Sequence, residues 1–205
     1  DVAVDITDIY VVTERTINSA TKRYVEMFDD QRTTDANIQY FSGATAPDQA
    51  KPSNTTCSSL SHLEGETVDV VRDNFVLTDK TVASGAITVD AVPSTFVEVG
   101  LPYSVEVKTL PAEPKLSSGV VFSRKRRILE ATPILDRTQN ITVNGFEIAL
   151  ETLPYTMGSV PTTFTGRKRV APLLGYSDTA QLTFTQTQPL FATVLGVEYK
   201  LSTGQ

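Results

Sequence analysis

The sequence predicts an all-β protein: a small antiparallel β-barrel or sandwich, a second β-rich body and very little helix. Three observations carry this expectation. Apolar and polar residues alternate over short runs rich in Thr and Val, as in "STFVEVG" and "QLTFTQTQP", the period-two signature of strands with one wet face. Turn dipeptides such as Asp73-Asn74, Ser84-Gly85 and Asn144-Gly145 punctuate those runs. No window sustains the 3.6-residue period of an amphipathic helix, and only "PDQAK" and "LSHLEGE" offer as much as a single turn.

The elements follow in order. "IYVVTERT" (9–16) and "KRYVEMF" (22–28) flank the polar "INSAT" and read as a β-hairpin, and Ile38 to Phe41 reads as a further short strand. Region 1–42 is expected to pair with the C-terminal body. Residues 43–59, "GATAPDQAKPSNTTCSS", hold Pro47, Pro52 and little but small polar residues, and read as a linker. Region 60–110 then offers "ETVDVV", "FVLTD", "TVASGAITVD", "STFVEVG" and "YSVEVKTL", short strands suited to a compact barrel or sandwich. "LPAEPKLSSG" (110–119) is a second break. The body at 115–205 contains a long strand pattern interrupted by Pro133, which marks a sheet edge or a bulge because proline has no N–H to donate. Asn144-Gly145 reads as a tight turn or, by family geometry, a strand bulge, and Leu182 and Phe184 share one face of "QLTFTQTQP".

Composition narrows the function. The 205 residues suit one large domain or two small ones, and a hydrophobic fraction of 40% supports a modest core. A formal net charge of −6 argues against a dedicated nucleic-acid binder, whose phosphate contacts need a basic face. It is compatible with acidic walls that DNA slides past. The single cysteine, Cys57, excludes an intrachain disulfide. No apolar run approaches the roughly 20 residues of a membrane-spanning helix. The chain opens on Asp1 in an alternating pattern, so a trimmed piece of a longer protein is expected.

The most chemically suggestive stretch is "SHLEGETVDVV", which carries the sole histidine, His62, near Glu64 and Glu66. Zinc needs three or four converging ligands, and one histidine without a cysteine pair falls short. "DDQRTTD" (29–35) resembles a calcium loop loosely but lacks its glycine and spacing. A nucleophilic mechanism needs an activated Ser or Cys with an oriented base, and Cys57 lies in the expected linker. No GxSxG elbow, P-loop or GxGxxG fingerprint is present. The preferred reading is a turn into a strand, with Leu60 and Leu63 packed inward and Gly65 taking an unusual backbone angle. No catalytic or metal residue and no cofactor is assigned, and the chain is read as a non-enzyme.

Two basic clusters stand out: Arg124, Lys125, Arg126 and Arg127, and Arg167, Lys168 and Arg169. They are the candidates for a subunit-interface or DNA-facing surface. Side chains alternate across a strand, so Arg124 and Arg126 share one face while Lys125 and Arg127 share the other. Four consecutive charges therefore cannot form one patch.

The order of segments resembles a known family. "RTINSATKRYVEMF", "LSHLEGETVDVV", "SGAITVD", "VEVGLPY", "KTLP", "RKRRI", "FTGRKRV" and "TFTQTQPLFATVLGVEYKL" resemble, in sequence, the C-terminal part of phage tail nozzle proteins, the tail tubular protein B of short-tailed phages. The resemblance covers nearly all of the chain. It implies a virion structural protein located in the tail. Six copies would form an oligomeric ring below the portal–adaptor assembly, contact the adaptor and other tail proteins, and let DNA pass during ejection without sequence-specific binding. It implies fold-marking roles for Leu63, Glu64, Gly65 and Val68, for Gly100, Leu101, Pro102 and Tyr103, and for Thr165 to Val170. Family members are considerably longer, with a large N-terminal β-propeller-like region. The alternative is a carbohydrate- or receptor-binding β module of a tail or adhesin, which would use exposed aromatics such as Tyr103, Tyr155 and Tyr176. A hydrolase is a third reading and rests on His62.

Overall fold

The computed structural model of the chain describes residues 9–112, 115–116, 119–120, 125–150, 162–171 and 175–203. Among them the regular structure is strand, with one 3-10 turn at Ser61–Leu63. The protein is all-β, and its sheets stay open; none closes into a barrel. Two compact units divide the chain, Asp1–Tyr103 and Ser104–Gln205.

The first unit begins with a ribbon of β1 (Ile9–Ile17) and β2 (Ala20–Phe28), in register from Ile9↔Phe28 to Ile17↔Ala20. Asn18 and Ser19 close it with φ of 46° and 62°. A two-residue hairpin needs positive φ at both positions, and short polar side chains tolerate that best. There follow β3 (Asp35–Phe41), β4 (Gln49–Ala50), β5 (Thr56–Cys57), β6 (Thr67–Arg72), β7 (Phe75–Val76), β8 (Lys80–Thr81), β9 (Ile87–Thr88) and β10 (Phe96–Leu101). One sheet runs β4-β3-β10-β6-β7, with β8 also on β6, and β5 pairs with β9. Leu60, Leu63, Val68, Val70, Val97 and Val99 are fully buried in its core.

Three sequence expectations change here. β3 pairs antiparallel with β10, Val97 opposite Tyr40 and Val99 opposite Ile38, so residues 35–41 belong to the first unit and not with the C-terminal body. Alternation shows which face of a strand is apolar but not which distant strand it joins. Residues 43–59 are no linker. Lys51 N–H donates to the Phe41 carbonyl at 3.1 Å, Val89 N–H to Thr55 at 2.9 Å, and Cys57 is completely buried. Their small side chains let backbone pair closely over the core. "PDQAK" forms no helical turn, because Gln49–Ala50 pairs in parallel with Tyr40–Phe41.

Gly100 has a specific reason. A Cβ there would stand 2.5 Å from Thr34 Oγ1 and 2.6 Å from the Asp35 carbonyl oxygen, so only glycine allows the bulged pairing of β10 with β3. The neighbouring Glu98 is 2% exposed, yet fully engaged. It accepts bonds from Thr33 N–H (2.8 Å), Thr34 N–H (2.8 Å), both threonine hydroxyls and the Gln39 amide. A carboxylate can be buried when such donors replace water.

The second unit contains β11 (Val105–Lys108), β12 (Lys115–Leu116), β13 (Gly119–Val120), β14 (Arg126–Thr138), β15 (Thr142–Val143), β16 (Phe146–Glu147), β17 (Phe164–Arg167), β18 (Thr183–Gln186) and β19 (Thr193–Thr203). Its sheets run β11-β18-β15-β16 and β17-β14-β19, with β12 and β13 pairing separately. The expected strand at 103–110 therefore lies in this unit, since β11 pairs with β18. The expected break at 110–119 begins with ordered core: Ala112 is buried, and its N–H donates to Thr179 at 3.1 Å. Asn144-Gly145 forms the expected tight turn, with φ of 48° and 80°. Leu182 and Phe184 face the core together, as the alternation predicted.

Pro133 does not mark an edge. β14 is the central strand of its sheet, and the register shifts lie on either side of the proline, at Ile128/Glu130 and at Ile134/Leu135. The first shift inserts Leu129 and changes which parity faces inward. Arg126 and Ile128 are buried before it, and Ala131, Pro133 and Leu135 after it.

Candidate functional site

His62 lies on the wall of a cleft that Glu26 and Asp35 also line. Its Nε2 lies 3.0 Å from the Ala36 carbonyl oxygen, in the 3-10 turn that leads to β6. Glu64 serves another purpose: its two oxygens accept the N–H groups of Ser84 and Gly85 at 2.8 and 2.6 Å, clamping that tight turn. Leu60 and Leu63 are buried and Gly65 has φ +80°, as a turn into a strand requires. Leu101 packs on the same core. Burial pushes the Cys57 thiol up to about 11, which leaves it inert at neutral pH.

The basic clusters are sorted by β14. Arg124 lies outside the described residues. Lys125 is exposed. Arg126 is 5% exposed and donates to the Ala112 carbonyl, so it is structural and cannot meet a phosphate or a partner, contrary to the expectation for this residue. Arg127 pairs with Ser202, on the same side of the sheet as Glu130 and Lys200, because the Leu129 bulge restores the outward parity.

β17 brings the second cluster alongside. Arg167 stands opposite Ile134, and both Arg167 and Arg169 project from the outer face. Lys168 points the other way, with its ammonium 4.9 Å from the Phe164 ring centroid. On the outer face Arg169 meets Glu130 at 2.5 Å, Lys200 meets Glu130 at 3.1 Å, and Arg167 meets Glu198 at 3.2 Å. Hydrogen bonding to Lys200 and Arg169 holds the Glu130 carboxyl below its ordinary range. Three cations (Arg167, Arg169, Lys200) thus meet two carboxylates, and Arg127 lies on the same side of the sheet, a local positive excess on an acidic chain.

The first unit carries a second feature that the sequence did not reveal. A half-open cleft of about 760 Å³ lies between the β1–β2 ribbon and the start of β3. Tyr24, Phe28 and Tyr103 supply its aromatic surface, with Tyr10 at the rim. Glu26, Asp29, Asp35 and Asp48 supply its charge. Arg15 bridges Glu26 (2.7 Å) and Asp35 (2.9 Å), and Arg32 bridges Asp29 (3.0 Å) and Asp48 (2.7 Å). "DDQRTTD" is therefore an ion-paired loop. The hydrogen bond from Arg15 holds Glu26 below the usual carboxylate range. Burial, with the charges of Glu98 and Asp35, raises the Tyr103 phenol. Tyr103 alone among these aromatics was singled out in the sequence. The only available signal for the rest was the alternation of "IYVVTERT", which gives no partner for its exposed side.

The ribbon's outward face is apolar toward its open end. Tyr10 opposite Met27 and Val12 opposite Val25 are 48–73% exposed, beside the Glu14–Arg23 ion pair at 3.2 Å. Among the described residues neither ribbon strand has another partner. No described helix is long and apolar enough to cross a membrane. No protein-family model matches the sequence, and no curated protein is significantly similar to it.

Proposed function

We propose that the chain is a structural, non-enzymatic subunit of a phage tail, of the nozzle or tail tubular protein B kind. It assembles into a homo-oligomeric ring below the portal–adaptor assembly, meets the adaptor and other tail proteins, and lets DNA pass during ejection. The ordered series of family-like segments over nearly the whole chain supports this reading. The structural observation that carries it is the β1–β2 ribbon, whose exposed apolar face and edges, unpaired among the described residues, suit subunit assembly. The basic face on β14, β17 and β19 fits an acidic patch of a neighbouring subunit better than DNA, since two of its four cations' worth of charge is already neutralised by Glu130 and Glu198. The test is sedimentation velocity of the protein and of a Val12→Asp, Val25→Asp variant. The reading expects a ring-sized species that the variant loses; identical sedimentation of both as monomers refutes it.

The alternative, a carbohydrate- or receptor-binding module, draws on Tyr103 in the cleft. Tyr176 is half-exposed but belongs to the second unit, and Tyr155 lies outside the described residues.

A further inference from the structure

The geometry points to the cleft of the first unit as a docking groove for an extended, basic segment of a partner protein. This does not depend on the tail role.

Charge is the first argument. Four carboxylates line the groove and two guanidiniums bridge them, which leaves two negative charges in excess. The most open of the four is Asp35, whose side chain is 45% exposed. Its bonds from Arg15 and from the Ala36 N–H both land on Oδ1, leaving Oδ2 for an incoming donor. A charge-assisted bond from Lys or Arg is the natural complement.

Shape is the second argument. Tyr103 and Asp35 both line the groove, and Tyr103 is itself half-exposed. An aromatic face beside a carboxylate holds a long cationic side chain twice over: the stem packs on the ring and the head meets the acid. Tyr24 and Phe28 repeat the aromatic surface along the ribbon side. A half-open groove walled by a ribbon suits a chain segment more than an enclosed small molecule, and the ribbon's edges, unpaired among the described residues, can take an added strand. The chain's own Arg126 and Arg127 are held in β14, Arg126 buried and Arg127 opposite Ser202 of β19.

The experiment uses a fluorescein-labelled peptide of alternating Arg and Thr, an equally long Glu-Thr peptide, and a neutral oligosaccharide. Fluorescence anisotropy of the whole protein reads the first two, and competition reads the third. The Arg-Thr peptide is expected to bind saturably, and Asp35→Asn and Tyr103→Ala are each expected to weaken it by about tenfold. Arg169→Ser, on the other unit, is expected to leave binding unchanged. Hydrogen exchange on the unaltered protein is expected to show peptide-induced protection confined to the β1–β2 ribbon and to residues 29–38, 48, 62 and 103. That measurement stands even if a variant fails to fold. Overturning results are absence of saturable binding, equal binding by the variants, equal binding of the Glu-Thr peptide, protection elsewhere, or displacement of the Arg-Thr peptide by the oligosaccharide.

Discussion

Asp73 is the most exposed to test by pH. It sits in the Asp73-Asn74 tight turn between β6 and β7, and its carboxylate ties that turn to the segment entering β10. It accepts the N–H groups of Ser94 (2.8 Å), Thr95 (2.6 Å) and Phe96 (3.1 Å) and the Thr95 hydroxyl (2.6 Å). Partial burial pushes its pKa up, but the Thr95 hydroxyl and the three N–H groups outweigh this and bring it down to about 2. Against roughly 3.9 in the unfolded chain, that difference stabilises the ionised fold by about 2–3 kcal/mol. The folded value is depressed, so the stabilisation is complete above pH ~4 and fades as the pH falls toward about 2. Asp73→Asn removes the charge and turns an N–H donor toward backbone N–H groups. Urea titrations followed by circular dichroism should show the variant less stable by about 2–3 kcal/mol at neutral pH. Most of that gap should close near pH 2. Hydrogen exchange of β6 and β10 assigns the loss to the first unit. A gap that stays constant from neutral pH down to pH 2 would refute the reasoning, because the charge would then not be what the N–H groups stabilise.

Other outcomes follow from the same packing. Gly100→Ala should destabilise the first unit by about 2–3 kcal/mol, read as a lower urea midpoint, since its Cβ meets backbone at 2.6 Å. Asp69 behaves oppositely to Asp73: burial, then the charge and hydrogen bond of Asp79, raise its pKa. Its raised pKa favours the fold only while protonated, and that advantage is lost as pH rises through the folded value. Asp69→Asn should therefore raise the urea midpoint at neutral pH, with the gain vanishing in acid. Replacing Arg167 and Arg169 by Ser should change stability by less than about 1 kcal/mol, because both side chains are more than 60% exposed, while weakening assembly measured at low salt.

Local chemistry was legible wherever a residue acts on its neighbours. Asn144-Gly145 had to turn, Leu182 and Phe184 had to share a face, and Leu60, Leu63 and Gly65 had to make a turn into β6. Pairing between distant segments was not legible. The alternation of residues 35–41 fits either unit equally well, and only the close approach at Gly100 matches it to β10. Cys57 looked like linker because its neighbours are small and polar, yet those same small residues are what let β5 lie on the core. The basic run misled for a different reason. A single inserted residue, Leu129, changes the parity of β14, sending Arg126 inside and placing Arg127 with Glu130. The cleft was least legible, because its aromatics and carboxylates come from the ribbon, β3 and Tyr103, brought together only by folding.

Native mass spectrometry of the protein from its full reading frame, mixed with its adaptor, tests the central proposal most directly. The account predicts a discrete ring, a whole-number multiple of the subunit mass, that binds the adaptor. A strictly monomeric protein in the adaptor's presence would contradict it.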